Sequence, residues 1–166
     1  GTYSVINDQY FFATDSTALM GNQFTVLYDD MNRANIYGAI KVMPTSSLDI
    51  TLKGNYYNYQ MVREAQAWYL PDYDLTLRGR YNIGEKIYMD ASAYLVGPRA
   101  YPATTAAGEP GELGTTFDLN LSAEYRYTPL LSFWVRFNNM TAQPYYLWHQ
   151  YPSYRFRFMA GFTYGL

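Results

Sequence analysis

The chain has 166 residues and a formal net charge of −2, so it is long enough for one domain with a hydrophobic core, and its charge gives no reason to expect a nucleic-acid partner. It contains no cysteine, which excludes disulfides and thiolate metal sites, and no apolar run reaches the ~18–20 residues of a membrane helix. Aromatic residues make up 19% of the chain and include 20 tyrosines, a residue type that favours β-strands and membrane–water interfaces.

Apolar and polar residues alternate along several segments of the first half of the chain. Such a period of two predicts β-strands, because successive side chains of a strand point to opposite faces. A weak pattern runs through Tyr3–Phe12, and two less regular ones through Gln23–Asp29 and Asn35–Met43. The alternation is regular in Leu48–Tyr56 and Tyr73–Ile83. No helical period has comparable support.

The alternation continues in the second half and is longest at its end. Ile87–Leu95, Phe117–Tyr127 and Leu131–Phe137 each have one apolar face and one polar face. In Tyr154–Leu166 every even position is apolar, with aromatic residues near both ends. Strands of a membrane β-barrel need ~9–11 residues, whereas the usual strand has ~5–6. The sequence therefore predicts an antiparallel, up-and-down transmembrane β-barrel with aromatic girdles.

The predicted connections alternate in length. The short connections lie near residues 43–47, 83–86 and 127–130, and the long ones near 57–72, 96–115 and 138–153. Outer-membrane barrels combine short periplasmic turns with long extracellular loops, whereas a soluble up-and-down barrel does not need this asymmetry. The alternation favours the membrane barrel over a soluble barrel or sandwich, in which the apolar face would be the core.

In a membrane barrel the mixed face of the strands lines the lumen. The charged residues that we predict there are Asp49, Lys53, Asp74, Arg78, Arg80, Asp90, Asp118, Glu124, Arg126, Arg136, Arg155 and Arg157. They could form a conduit for a charged solute, or acids and bases on adjacent strands could pair and brace the wall. We favour bracing, with Asp118 and Arg126 beside Arg136 and Arg157.

Aromatic residues of the predicted loops form a second candidate site. They are Trp68, Tyr69, Tyr145, Tyr146 and Trp148, with Tyr101 and Tyr151 nearby in the same loops. Such rings could contact a ligand by stacking, or they could belong to the outer girdle of the membrane barrel. The sequence supports both interpretations equally.

The sequence gives little support to an enzyme or a metal site. His149 is the only histidine, and a catalytic histidine needs a serine or carboxylate partner, for which only Ser153 is near. Asp29 and Asp30 with Asn32 and Asn35 could hold calcium, but a solvated hairpin tip fits them better. We therefore expect no catalytic residue, no metal and no cofactor.

The number of strands bears on the extent of the barrel. Eight strands from Gln23 onward would place residues 22–166 in the barrel and leave residues 1–21 as a lead-in strand or periplasmic segment. A further strand at Tyr3–Phe12 would make nine, and single-chain bacterial barrels have even numbers. Nine strands would make the chain part of a larger barrel. The start of the chain lacks the pattern of a signal peptide, so we expect a mature or shortened form.

The last third of the chain resembles the end of TonB-dependent receptors and related outer-membrane barrels of the Bacteroidetes. The motifs that carry the resemblance are Asn138-Asn139, Gln143-Pro144-Tyr145, Trp148 to Pro152, and Phe156, Phe158, Gly161 and Tyr164 in the last strand. The resemblance implies the C-terminal wall of an outer-membrane importer whose nutrient is an iron chelate, a cobalamin or a glycan. It also implies outer-membrane lipid, TonB and a surface lipoprotein as partners, the latter two through other parts of the protein.

Because the chain shows neither a plug domain nor a TonB box, a second hypothesis remains open. It is a small self-contained outer-membrane barrel with a structural or adhesive role. The small-molecule ligand is unknown in either case.

Overall fold

The computed structural model describes residues 1–14, 24–103 and 108–165, and these residues form strands, turns and loops. The strands are β1 Thr2–Thr14, β2 Phe24–Thr45, β3 Leu48–Met61, β4 Tyr73–Ile83, β5 Ile87–Val96, β6 Arg99–Tyr101, β7 Gly111–Leu113, β8 Thr116–Arg126, β9 Leu131–Asn138, β10 Tyr146–Trp148, β11 Tyr151–Pro152 and β12 Arg157–Tyr164. In the described ranges there is no helix of the length and apolarity needed to cross a membrane.

Eight strands form one antiparallel sheet in the order β1-β2-β3-β4-β5-β8-β9-β12. Every long strand pairs with its neighbours along the chain, which is the predicted up-and-down topology. The four short strands form two hairpins, β6-β7 and β10-β11, within the long loops. The all-β antiparallel architecture is therefore confirmed.

Two strands that the sequence predicts separately form one strand. Gln23–Asp29 and Asn35–Met43, predicted as separate strands, belong to the single 22-residue strand β2. The polar stretch between them interrupts the alternation, but it stays extended because its backbone pairs with β1 on one side and β3 on the other. Since Tyr3–Phe12 lies within β1, the main sheet has eight strands and not nine.

The last strand is shorter than predicted at its beginning. The ladder between β12 and β9 begins with Arg157 opposite Asn138, so Tyr154 and Arg155 lie before it. β9 ends at Asn138, and Asn139 turns the chain with a φ of 48°. The backbone of Tyr154 then accepts a hydrogen bond from the Asn139 side chain and not from a strand. Leu166 lies outside the described residues.

The predicted alternation of short and long connections is confirmed. The short turns at residues 46–47, 84–86 and 127–130 share one end of the sheet, which we call the turn end. The loops at residues 62–72, 97–115 and 139–156 share the other, which we call the loop end. The connection between β1 and β2 lies outside the described residues.

At the loop end, β1, β2 and β3 extend further than β4 does. β3 stops pairing with β4 at Tyr56 opposite Tyr73, although β3 continues to Met61. β1 pairs only with the first half of β2, from Phe24 to Asn35. The second half of β2, residues 36–45, therefore pairs only with β3 in the described part of the chain.

The strand register separates an apolar face from a polar face. On the apolar face Ile50, Gly79, Ala91, Leu121 and Phe137 lie opposite one another in neighbouring strands. Many of the large side chains on this face are exposed, among them Leu52, Leu77, Phe117, Phe133 and Phe158. The buried hydrophobic core lies elsewhere, at the loop end.

Candidate functional site

The register places the predicted lumen residues of the strands on the polar face. Asp49 lies opposite Arg80, and Arg80 lies opposite Asp90. Arg80 Nε is 2.7 Å from Asp90 Oδ1, and Lys41 Nζ is 2.6 Å from Asp49 Oδ2. These neighbouring ion pairs link β2 to β3 and β4 to β5. All four side chains remain partly exposed, so water screens both pairs and weakens them.

Aromatic rings accompany several of the arginines on the polar face. The guanidinium carbon of Arg126 lies 4.2 Å from the centre of the Tyr88 ring, and that of Arg136 lies 4.8 Å from the Trp134 ring. Arg78 and Arg157 lie over Tyr94 and Tyr154 at 5.9 and 5.4 Å. Each such contact contributes ~0.5–1 kcal/mol when exposed.

The sequence analysis did not predict that aromatic rings would lie against these arginines. A signal for them was present, since Tyr88, Tyr94 and Trp134 occupy polar-face positions of their strands.

The grouping of charges that we expected around Asp118 differs from the observed one. Asp118 Oδ2 accepts a hydrogen bond of 3.1 Å from the Tyr145 hydroxyl. Arg126 lies 3.5 Å from Glu124 on its own strand. Asp74 accepts hydrogen bonds from Asn55 and Tyr57, and Lys53 lies opposite Thr76. Ion pairing therefore accounts for only part of the polar face.

A carboxylate holds the loop at residues 62–72 against the sheet. Asp29 is 1% exposed, and its two oxygens accept hydrogen bonds of 2.8–3.1 Å from the backbone N–H groups of Arg63 and Glu64. Burial raises the pKa of this carboxyl, but the backbone donors of Glu64, Arg63 and Asp30 outweigh burial and hold the pKa below its ordinary value. The prediction of a solvated hairpin tip at Asp29 is wrong, because the residue lies within β2.

The same loop carries two aromatic residues into a small core at the loop end. Trp68 and Tyr69 are buried with Phe11, Met31 and Leu113. Trp68 Nε1 donates to Glu64 at 2.7 Å, and the Tyr69 backbone N–H donates to the carbonyl of Ala100 in the next long loop. Two of the five predicted loop aromatics therefore pack within the protein.

The third long loop contributes the remaining predicted aromatics. The Trp148 ring packs between the Tyr69 ring, at 4.7 Å, and the Phe12 ring of β1, at 5.5 Å. The carbonyl of Tyr146 contacts Arg99, and Tyr146 itself is exposed. The structure thus brings Trp68, Tyr69 and Trp148 together and places Tyr145 on the polar face beside Asp118.

Arg99, in the β6-β7 hairpin, was not singled out by its sequence. It is 7% exposed, and its Nη2 donates to the Tyr146 carbonyl at 2.6 Å and to Thr116 Oγ1 at 3.3 Å. Its buried Nε has no hydrogen-bond partner in the described part of the chain, and burial lowers the pKa of the guanidinium. The side chain lines a cavity of about 360 Å³ together with Phe12, Tyr69 and Trp148.

The described residues contain no cluster of three or more His, Cys, Asp or Glu side chains that could hold a metal ion. His149 stacks on the Tyr101 ring at 4.2 Å. The Ser153 hydroxyl, its nearest candidate partner in sequence, accepts a hydrogen bond from the Tyr145 backbone. This arrangement gives no support to a histidine-based enzyme.

Comparison with known proteins gives matches among solved structures alone. No protein-family model and no curated protein matches the chain. The ferripyoverdine receptor of the outer membrane of Pseudomonas aeruginosa is 13% identical, with a TM-score of 0.71 over 95% of this chain and 23% of that chain. The ferric-catecholate import receptor Fiu from Escherichia coli K12 is 13% identical, with a TM-score of 0.68 over 98% of this chain and 24% of that chain. The copper transporter OprC is 14% identical, with a TM-score of 0.72 over 98% of this chain and 27% of that chain.

These structures are TonB-dependent outer-membrane receptors. The chain has the fold of their barrel wall. It spans about a quarter of the length of each of them. The predicted resemblance to a receptor barrel is thereby confirmed for the fold, while an origin in the Bacteroidetes stays a prediction.

Proposed function

We propose that the chain is part of the barrel wall of a TonB-dependent-receptor-like importer in the bacterial outer membrane. The observation that carries the proposal is the sheet itself, with an exposed apolar face, a charged opposite face and every described long loop at one end. This combination suits a strand wall between lipid and an aqueous lumen. The structural neighbours are named as receptors or transporters for ferripyoverdine, ferric catecholate and copper, which supports a nutrient importer.

The open edges of the sheet favour a wall within a larger barrel over a small closed one. Within the described residues β12 pairs only with β9, and the second half of β2 pairs only with β3. A closed eight-stranded barrel would join its first strand to its last. Exposed strand edges are templates for further strands, so we assign both edges to pairing with other strands of the same barrel.

On this proposal the polar face lines the lumen, and its side chains have two roles. The pairs Lys41–Asp49 and Arg80–Asp90 brace neighbouring strands. Arg136, which lies over the Trp134 ring, keeps its charge available to groups inside the barrel. The protein acts as a transporter and not as an enzyme. TonB and a surface lipoprotein would act through parts outside this chain.

Nutrient uptake tests the proposal. The gene is deleted, and growth is measured with an iron chelate, a cobalamin or a glycan as the limiting nutrient, with and without a plasmid copy. We expect a growth defect on one class, and the plasmid copy should restore normal growth. Uptake of that nutrient by the complemented strain, measured over minutes, should stop when a protonophore is added, because import by such receptors depends on the proton gradient. Normal growth of the deletion strain on all three classes, or uptake that a protonophore leaves unchanged, would contradict the importer function.

A gel experiment separates the importer from the small self-contained barrel. This chain alone is refolded in detergent and run unheated and boiled. We expect no heat-modifiable, protease-resistant band from the chain alone, and such a band from the full-length gene product. A heat-modifiable band from the chain alone would favour the closed small barrel.

A further inference from the structure

Arg99 carries a positive charge into the loop end, and no carboxylate of the described residues pairs with it. The ion pairs found among the described residues join other side chains, and both acceptors of Arg99 are neutral oxygens. Both contacts use Nη2 alone, so the other two guanidinium nitrogens have no acceptor within residues 1–14, 24–103 and 108–165, and Nε is buried. A buried charge is costly unless it is paired, and an unpaired one therefore marks a place where an anion would be stabilised.

The cavity beside Arg99 has flat, apolar walls. Phe12, Tyr69 and Trp148 line it, and the Trp148 ring contacts both of the other rings. Its volume of about 360 Å³ falls at the lower end of the range of small-molecule sites, ~300–1,000 Å³. A cavity with aromatic walls and one cation has the chemistry to bind a planar anion on a flat apolar body.

We propose that the cavity formed by Arg99, Phe12, Tyr69 and Trp148 binds a carboxylate-bearing aromatic group of the imported solute. Nη1, which has no acceptor among the described residues, donates to the carboxylate, and the rings of Tyr69 and Trp148 cover the flat body. In taking the anion to be part of a solute, the inference rests on the proposed importer function. The binding of the anion itself can be measured without transport.

Arg99 also ties two loops together, because it belongs to the β6-β7 hairpin and donates to Tyr146 of the third long loop. A purely structural tie would need only this contact to the carbonyl. It would not require the guanidinium to line a cavity, and it would not make binding depend on the charge of a ligand. The two roles therefore differ in their response to a charged ligand and its neutral analogue.

The first experiment compares three probes on the full-length gene product in detergent. Benzoate has the ring and the carboxylate, benzamide has the ring without the charge, and acetate has the charge without the ring. Calorimetric titration measures the affinity of each probe. We expect saturable binding of benzoate and binding of benzamide and acetate that is weaker by about tenfold or more, since each of them lacks one of the two interactions.

Two matched variants test the role of the guanidinium. Arg99→Gln removes the charge from the cavity, and Arg63→Gln removes one from an exposed position in a neighbouring loop. Arg99→Gln should reduce benzoate affinity to the level of benzamide, and Arg63→Gln should leave it unchanged. If Arg99→Gln does not fold, the comparison of benzoate with benzamide on the unaltered protein decides the question.

The outcomes separate the inference from the proposed function. Equal binding of benzoate and benzamide, no binding of benzoate, or unchanged benzoate affinity in Arg99→Gln would overturn the carboxylate site even if nutrient uptake is intact. Charge-dependent binding that is lost in Arg99→Gln would support the site even if the deletion strain imports every tested nutrient normally. That combination would contradict the proposed importer function and support the anion-binding site.

Discussion

A charge placed on the apolar face should destabilise the folded protein far more than the same charge one residue further along the strand. Leu121 lies in β8 midway between Phe117 and Tyr125, and its cross-strand neighbours are Ala91 and Phe137. It is 37% exposed, so the protein itself does not cover it. On our account, lipid does. Arginine near the middle of a bilayer costs ~2–4 kcal/mol on the lipid face of a barrel strand.

The expected effect of Leu121→Arg is therefore a shift of the folding equilibrium by about 30- to 700-fold. Ser122→Arg is the matched control, because residue 122 faces Asp90 and Arg136 on the polar face and should change stability by less than ~1 kcal/mol. Tyr125→Arg, near the turn end, should cost only ~0–1 kcal/mol. Denaturant titration of the full-length gene product in lipid vesicles, read by heat-modifiable gel mobility, measures all three.

Another pattern of stability changes among the three arginine variants would contradict contact between the apolar face and lipid. If the apolar face were in water, Leu121→Arg would be a surface substitution and would change stability by no more than ~0.5 kcal/mol. Equal costs for Leu121→Arg and Ser122→Arg would therefore mean that this face does not meet lipid. Equal costs at residues 121 and 125 would mean that depth in a bilayer is not the variable that matters.

Two further predictions concern the close packing at Gly161 and the Asp29 carboxylate that holds the loop at residues 62–72. At Gly161 an added Cβ would lie 2.5 Å from the Trp134 indole, so Gly161→Ala should destabilise the protein by ~1–3 kcal/mol in denaturant titration, whereas Gly79→Ala, with no atom within 4 Å, should not. Asp29→Asn should speed trypsin cleavage after Arg63 at neutral pH, because the backbone donors lose their carboxylate, and Asp30→Asn should not. Because the folded-state pKa of Asp29 is lowered, the stability that its ionised carboxyl contributes is complete above the ordinary pKa of 3.8. That stability is lost as the pH falls through the folded-state pKa of Asp29. Acid should therefore also speed digestion by an acid-active protease. Slow cleavage in Asp29→Asn or a destabilised Gly79→Ala would contradict these assignments.

The strands and their two faces could be predicted from sequence because they depend on a local period. β4 has the predicted bounds, Tyr73–Ile83, and β5 ends one residue later than predicted. The alternation of short turns and long loops follows directly once the strands are placed. Each of these features depends on residues close together in the chain.

The remaining features depend on residues far apart. The polar middle of β2 stays extended through pairing with β1 and β3, which its own sequence does not indicate. Arg99 lies in a loop rich in proline and glycine without any period, and its burial results from packing against Thr116 and Tyr146. The burial of Trp68 and Tyr69 likewise requires Phe11 and Met31, which lie in the first two strands.

The orientation of the sheet in the membrane tests the central claim most directly. The chain has no cysteine, so single cysteines can be introduced at Ala65 in a long loop and at Ser46 in a short turn, both exposed, in a full-length product without other cysteines. Intact cells are treated with a membrane-impermeant maleimide. We expect Ala65→Cys to be labelled in intact cells and Ser46→Cys only after lysis. Labelling of both in intact cells, or of Ala65→Cys only after lysis, would contradict a barrel wall with its long loops outside.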